Sequence, residues 1–269
     1  EVTMHRSLPG TPMLQSALSA AVLAVAALAP RAAATPEDVP SAAPYLDPAL
    51  DFEARARDLV SRMTVEEKVS QLTNQAAAIP RLRVPEYEWW NECVHGVARA
   101  GVATVFPQAI GLAATWDTAL MGRVATAIAR ETRSRGIRQV LSPVVNLATD
   151  VRWGRTEETY GEDPLLASAM AAAYVAPFER LGVITTPKHF VANVGDGGRD
   201  SYPIALDNRT LAELHYPPFR AALAAGSRSV MTAYNSVGGL PATQNSQLLT
   251  ETLRKAWGFR GFVITDAAA

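Results

Sequence analysis

From Phe52 to Leu72 apolar residues recur at helical spacing, at Ala56, Leu59, Val60, Met63, Val69 and Leu72. Thr64-Val-Glu-Glu67 within that run has the form of a capping box, so the pattern predicts two consecutive helices with a break near Met63. Further along, short apolar runs each end in a polar or reactive side chain. Gln139-Val-Leu-Ser-Pro-Val-Val leads into Asn146, and Val183-Ile-Thr-Thr-Pro leads into Lys188-His189. Ser229-Val-Met-Thr-Ala leads into Tyr234-Asn235, and Gly261-Phe-Val-Ile-Thr leads into Asp266. Ala103-Thr-Val-Phe106 also reads as a strand. Helical patterns separate these runs. One opens at Asp117 and reaches about Arg135. A second opens at Asp163-Pro164, an acid at the cap and a proline at the first helical position, and ends near Leu181-Gly182. Two more run from Thr210 to Ala225 and from Ser246 to Trp257, and Pro217-Pro218 is expected to break or kink the former.

Alternating strands and helices predict an α/β chain of the TIM-type (β/α)8 barrel. In that fold functional groups gather at the carboxyl ends of successive parallel strands. Only five or so strands are legible where a closed ring needs eight, so the barrel is expected to be incomplete at its C-terminal end.

The first residues have a different character. Met4-His-Arg6, the apolar run Ala20 to Ala29 and Ala32-Ala33-Ala34 give a basic start, a short apolar core and a small-residue exit. Residues 1–34 therefore read as a secretory signal peptide. A membrane anchor is the alternative, but the apolar run is shorter than the roughly 20 residues that span a bilayer. Pro36, Pro40, Pro44 and Pro48 among alanines make residues 35–50 an extended linker. Residues 51–269 then form one domain, near the ~250 residues typical of a β/α barrel. The expected location is exported, periplasmic or secreted.

Charge narrows the possible partners. Asp and Glu number 26 against 25 Lys and Arg, so no basic field is available for nucleic acid or a membrane surface. The four histidines lack metal-ligand spacing, and neither a metal nor a cofactor is expected. Cys93 is the sole cysteine, so no intrachain disulfide can form and the core must supply stability.

Candidate chemistry centres on Lys188-His189. On its own such a pair is an ordinary loop feature. It is followed by Gly195-Asp-Gly-Gly-Arg-Asp200, a glycine-rich loop that lets the backbone and the Arg199 guanidinium approach a ligand. Cations and an imidazole beside carboxylates suit recognition of sugar hydroxyls; a salt bridge from Arg199 to Asp196 or Asp200 is the plainer alternative.

From about Leu59 onward the chain resembles the amino-terminal barrel domain of glycoside hydrolase family 3, in its β-glucosidase and β-xylosidase branch. Seven stretches in order carry the resemblance. They are Met63-Thr-Val-Glu-Glu-Lys68, Trp89-Trp-Asn-Glu-Cys-Val-His-Gly96, Val105 to Asp117, Arg152-Trp-Gly-Arg155 with Gly161-Glu-Asp-Pro164, Lys188-His-Phe190, Met231-Thr-Ala-Tyr-Asn235 and Gly258 to Asp266. The resemblance implies an exo-acting retaining β-glycosidase with Asp266 as nucleophile and a β-linked glycoside as substrate. It further implies that Lys188 and His189 hold hydroxyls next to the cleaved bond, that Arg155 and Arg199 line that subsite, and that Glu92 grips distal hydroxyls. Met231 and Tyr234 would lie near the nucleophile and the ring face.

In this branch the acid/base comes from a domain after the barrel, so no residue is assigned that role. Ala267 and Ala268 stand where the family has a tryptophan or small residue and a glycine, so no aromatic wall is expected there. A β-N-acetylhexosaminidase of the same family would need an Asp-His dyad, but Asp200-Ser201 is followed by Tyr202. A non-catalytic sugar-binding module would keep Glu92, Arg155, Lys188 and His189 without needing Asp266. His95 and Asp163 are explained as a packed loop histidine and a helix cap. Trp89, Trp90 and Trp153 are wall or core as readily as sugar platforms, and Glu157, Glu158 and Glu162 read as surface charge.

Overall fold

The computed structural model describes residues 43–195, 202–267 and 269. Residues 1–34, expected to be a signal peptide, residues 35–42 of the expected linker and Arg199 lie outside the described residues. The remainder of the linker packs rather than running extended. Pro44–Leu46 is a 3-10 turn, and Tyr45 is buried, with its hydroxyl donating to the Leu82 carbonyl at 2.8 Å. Ala43, Tyr45, Ile79 and Leu82 form a small satellite core, an aromatic anchor that proline spacing conceals.

The two early helices are α1 (Phe52–Arg62) and α2 (Val65–Ser70). The capping box divides them as expected. Glu67 N–H donates to Thr64 Oγ1 at 3.1 Å and Thr64 N–H donates to Glu67 Oε2 at 2.8 Å. Strands β1 (Gln75–Ala76) and β2 (Tyr87–Glu88) then pair antiparallel.

Ala103 to Phe106 is not a strand. Phe106 N–H donates to the His95 carbonyl at 2.8 Å, Thr104 N–H donates to the Glu131 carboxylate, and Val105 is exposed. A short β-branched run becomes a strand only where a neighbouring strand takes its backbone groups, and here a loop and a side chain take them.

Next come α3 (Ala109–Ala113) and α4 (Thr118–Ser134), followed by β3 (Gln139–Val140), α5 (Pro164–Arg180) and β4 (Ile184–Thr185). Asp117 caps α4 and Asp163 caps α5. Both helices bury one stripe, Val124, Ala125, Ile128 and Ala129 on α4 and Ala167, Met170, Ala171, Tyr174, Val175 and Phe178 on α5.

Pro217-Pro218 does not interrupt the next helix. α6 (Asn208–Thr210) passes through a π turn, Leu211–His215, into α7 (Tyr216–Ala224). The wide turn, in which Tyr216 N–H donates to the Leu211 carbonyl, falls just before the prolines that have no N–H to give.

After α7 come β5 (Ser229–Met231), a hairpin of β6 (Ser236–Val237) and β7 (Leu240–Pro241), a π-type helix Gln247–Ala256, and β8 (Phe262–Ile264). β3 pairs parallel with β4, and β5 pairs parallel with β8, Met231 opposite Ile264. Parallel bridges Val144–Lys188 and Phe190–Thr232 carry the pairing past the strand ends and join β4 to β5. Four parallel strands thus follow in chain order with helices between them, the arrangement of one flank of a β/α barrel. Beneath the site, Phe190 packs edge-on to Phe219 at 5.1 Å and Trp257 at 5.8 Å.

Gly261 sets how closely β8 approaches β5. A Cβ there would lie well within van der Waals contact distance of the Arg228 carbonyl oxygen, which accepts from Phe262 N–H at 3.1 Å. Gly261→Ala is expected to cost about 1–3 kcal/mol in urea unfolding, the range for forced overpacking. An unchanged midpoint would contradict this packing.

Candidate active site

Asp266 lies two residues past the end of β8, and Lys188 and His189 lie just past β4. Pairing β5 with both neighbours brings these strand ends together. Asp266 Oδ2 is 3.6 Å from His189 Nε2. Its Oδ1 accepts from Ala267 N–H at 2.8 Å, whereas Oδ2 is buried and has no hydrogen-bond partner among the described residues. An unsatisfied buried carboxylate oxygen is costly, and such groups concentrate at functional sites.

Two buried cations flank His189: Arg155 bonds its ring, and Lys188 precedes it in the chain. The Lys188 side chain is only 4% exposed, and its Nζ donates to both oxygens of Glu92, at 3.1 and 2.9 Å. Arg155 is 8% exposed and grips Glu158 in a fork, Nε to Oε1 and Nη2 to Oε2, each at 2.7 Å. Burial works against the Arg155 charge, but the Glu158 bonds, helped by the Asp266 and Glu92 charges, more than offset it and hold its pKa above the usual value. Arg155 Nη1 donates to His189 Nε2 at 2.9 Å. On the far side of the ring, His189 Nδ1 is 3.0 Å from Asn146 Oδ1.

The structure therefore brings together Glu92, Arg155, Lys188, His189 and Asp266. Met231 is buried in β5, and its carbonyl accepts from Phe190 N–H at 2.7 Å. The Tyr234 hydroxyl donates to the Ala267 carbonyl at 2.6 Å, so it braces the residue after Asp266. Gly195, at φ +71°, stands over the indole of Trp153, leaving no room for a Cβ; Arg199, four residues on in the sequence, lies outside the described residues.

Two partners escape the sequence reading. Glu158 reads as surface charge but is the counter-ion of Arg155. Asn146, visible as a strand-end residue, holds both the backbone and the ring of His189. The plainer readings hold for Asp163, which caps α5, and for His95, whose Nδ1 lies 2.8 Å from the Phe106 carbonyl. Trp89 Nε1 donates to the Thr73 carbonyl, and Trp90 carries Arg99 over its ring at 4.6 Å. Trp153 is buried. Cys93 is also buried, and burial pushes its thiol up to about 12, which makes it an unreactive core group.

The family model described as "Glycosyl hydrolase family 3 N terminal domain" matches residues 55–269. Among curated relatives, "Probable beta-D-xylosidase 7" of Arabidopsis thaliana is 39% identical over 255 residues, covering 82% of this chain and 33% of that protein. "Beta-glucosidase" of Rhizobium radiobacter is 39% identical over 221 residues, covering 78% and 27%. The chain thus spans a third or less of these relatives' lengths. Among solved structures, a GH3 exo-beta-xylosidase (XlnD) in complex with a xylobiose aziridine activity-based probe superposes with a TM-score of 0.81 at 31% identity. That match covers 84% of this chain and 33% of that one. DesR, a beta-glucosidase from Streptomyces venezuelae in complex with D-glucose, gives 0.74 at 34%, covering 80% and 29%.

Glu158→Ala leaves a buried guanidinium without its counter-charge and is expected to cost about 3 kcal/mol in urea unfolding. A loss within about 0.5 kcal/mol, the range for surface substitutions, would return Glu158 to the status of a surface charge.

Proposed function

The chain belongs to glycosyl hydrolase family 3, and from that premise we propose that it carries the sugar-binding and nucleophilic half of an exo-acting retaining β-glycosidase. The reaction is removal of a terminal β-D-glucosyl or β-D-xylosyl residue. One observation carries the reading: a strand-end carboxylate has one oxygen without a hydrogen-bond partner among the described residues, 3.6 Å from a His189 ring that the buried Arg155 holds.

Asp266 Oδ2 attacks the anomeric carbon, the glycosidic C–O bond breaks, and a covalent glycosyl-enzyme forms; water later attacks the same carbon and frees the carboxylate. The leaving oxygen takes a proton from an acid, a role assigned to none of the described residues. Lys188 and Glu92 form a donor–acceptor pair for vicinal hydroxyls, with bonds stronger than neutral ones. Arg155 keeps two of its five N–H groups after three bonds to Glu158 and His189. Arg199, outside the described residues, is assigned to the same subsite by the family resemblance alone. Met231, paired with Ile264, fixes the strand that leads to the nucleophile, and Tyr234 braces the segment after it. Residues 1–34 act as an export signal, giving a periplasmic or secreted location.

A 2-deoxy-2-fluoro glycoside with a dinitrophenolate leaving group tests the nucleophile directly, because that leaving group departs without acid assistance. The intact chain is expected to gain one glycosyl mass, mapped to Asp266 by peptide sequencing, from the glucoside, the xyloside or both. Label on another residue, or undiminished label on Asp266→Asn, would remove Asp266 from the mechanism. Lys188→Ala should slow labelling by the equivalent of ~1.5–3 kcal/mol, the worth of a charged hydrogen bond. An effect on unfolding alone would make Lys188 structural.

A further inference from the structure

We propose that Asn146 is a positioning residue that holds His189 in the neutral tautomer protonated at Nδ1, leaving the Nε2 lone pair as the seat for Arg155. Two backbone bonds orient the Asn146 amide independently of the ring. Its Oδ1 accepts His189 N–H at 2.7 Å, and its Nδ2 donates to the His189 carbonyl at 2.9 Å. Turned end for end, the amide would set donor against donor and acceptor against acceptor. Oδ1 can only accept, and it lies 3.0 Å from Nδ1, so Nδ1 carries a proton. Arg155 Nη1 can only donate, and it lies 2.9 Å from Nε2, so Nε2 carries none. Each ring nitrogen is assigned by a neighbour with no alternative role.

The assignment matters because Asp266 Oδ2 is 3.6 Å from the same Nε2. A proton on Nε2 would face the Arg155 donor and pull Asp266 into an ion pair. Without it, Arg155 stays docked on the ring, and the Asp266 oxygen stays unbonded. Among the described residues the charged groups facing the ring are Arg155 and Asp266, with Glu158 behind Arg155 and the Lys188–Glu92 pair one residue away. Asn146 therefore acts on the nucleophile through His189 and Arg155. This rests on the glycosidase reading only where rates are concerned.

The full chain labelled with 15N-histidine tests the tautomer by long-range proton–nitrogen correlation, with His5, His95, His189 and His215 to distinguish. His189 is expected to show a protonated Nδ1 and a bare Nε2 on both sides of pH about 6.5, the ordinary histidine pKa. A ring protonated at Nε2, or at both nitrogens, would overturn the proposal without recourse to any variant. Asn146→Asp keeps an acceptor for Nδ1 but adds a negative charge that favours the imidazolium. Fluoroglycoside labelling of that variant should be about tenfold slower than wild type below pH about 6.5 and should recover above it. Equal slowing at every pH, with the ring proton unmoved, would overturn the positioning role. A wild-type chain that takes no label but shows the Nδ1–H ring would sink the glycosidase reading while supporting the tautomer.

Discussion

Taking a cation out of water is expensive, and this site removes two. Lys188 and Arg155 are almost wholly buried, so each must meet a carboxylate with near-ideal geometry or the fold would not hold it there. Glu92 and Glu158 meet that requirement, one from the loop after β2 and the other from the loop after β3. The Lys188–Glu92 pair ties a distant segment of the chain to a strand end, whereas Arg155–Glu158 closes locally, three residues apart. Asp266 is different, because its second oxygen has no donor among the described residues. Among the described residues, the buried charges of Lys188 and Arg155 are thus paired, whereas Asp266 Oδ2 is left without a hydrogen bond.

That arrangement depends on strand register. Met231 opposite Ile264 fixes how far β8 extends beside β5, and the Phe190–Thr232 bridge fixes the end of β4 on the other side. A one-residue slip would turn Asp266 to the opposite face of the sheet. Gly261 guards the register by letting the start of β8 lie against the Arg228 carbonyl. Phe190, Phe219 and Trp257 guard it from below by filling the layer between strands and helices.

The elements whose periodicity is long were legible in the sequence: α4, α5, the capping-box break and the strand ends carrying Asn146, Lys188, Tyr234 and Asp266. Errors arose where a tertiary partner overrides a local signal. Ala103 to Phe106 has strand composition but no strand beside it, and its backbone bonds to His95 and Glu131 instead. Pro217-Pro218 has breaker composition, yet a π turn just ahead of it absorbs the missing donors. Glu158 could not be separated from its charged neighbours Glu157 and Glu162, because only the fold shows which of them faces Arg155. Its spacing offered a signal, since a residue three positions after an arginine can turn back on it across one short helical turn.

The Lys188–Glu92 pair also bears on how a sugar could enter without a large desolvation penalty. Two of the three Nζ hydrogens already lie on Glu92, so one donor remains, and the carboxylate keeps spare lone pairs. A hydroxyl both donates and accepts. It can therefore bridge the pair, giving its proton to Glu92 and receiving one from Lys188, with neither charge left bare. Binding then adds bonds to an existing ion pair rather than breaking it. A bare carboxylate or a lone ammonium in the same place would have to shed its water first. Held this way, a ring is anchored on one side by paired charges. In the proposed reaction its anomeric carbon would meet Asp266 Oδ2, which has no hydrogen-bond partner among the described residues, so attractions that grow as positive charge develops there would be concentrated on the reacting atom.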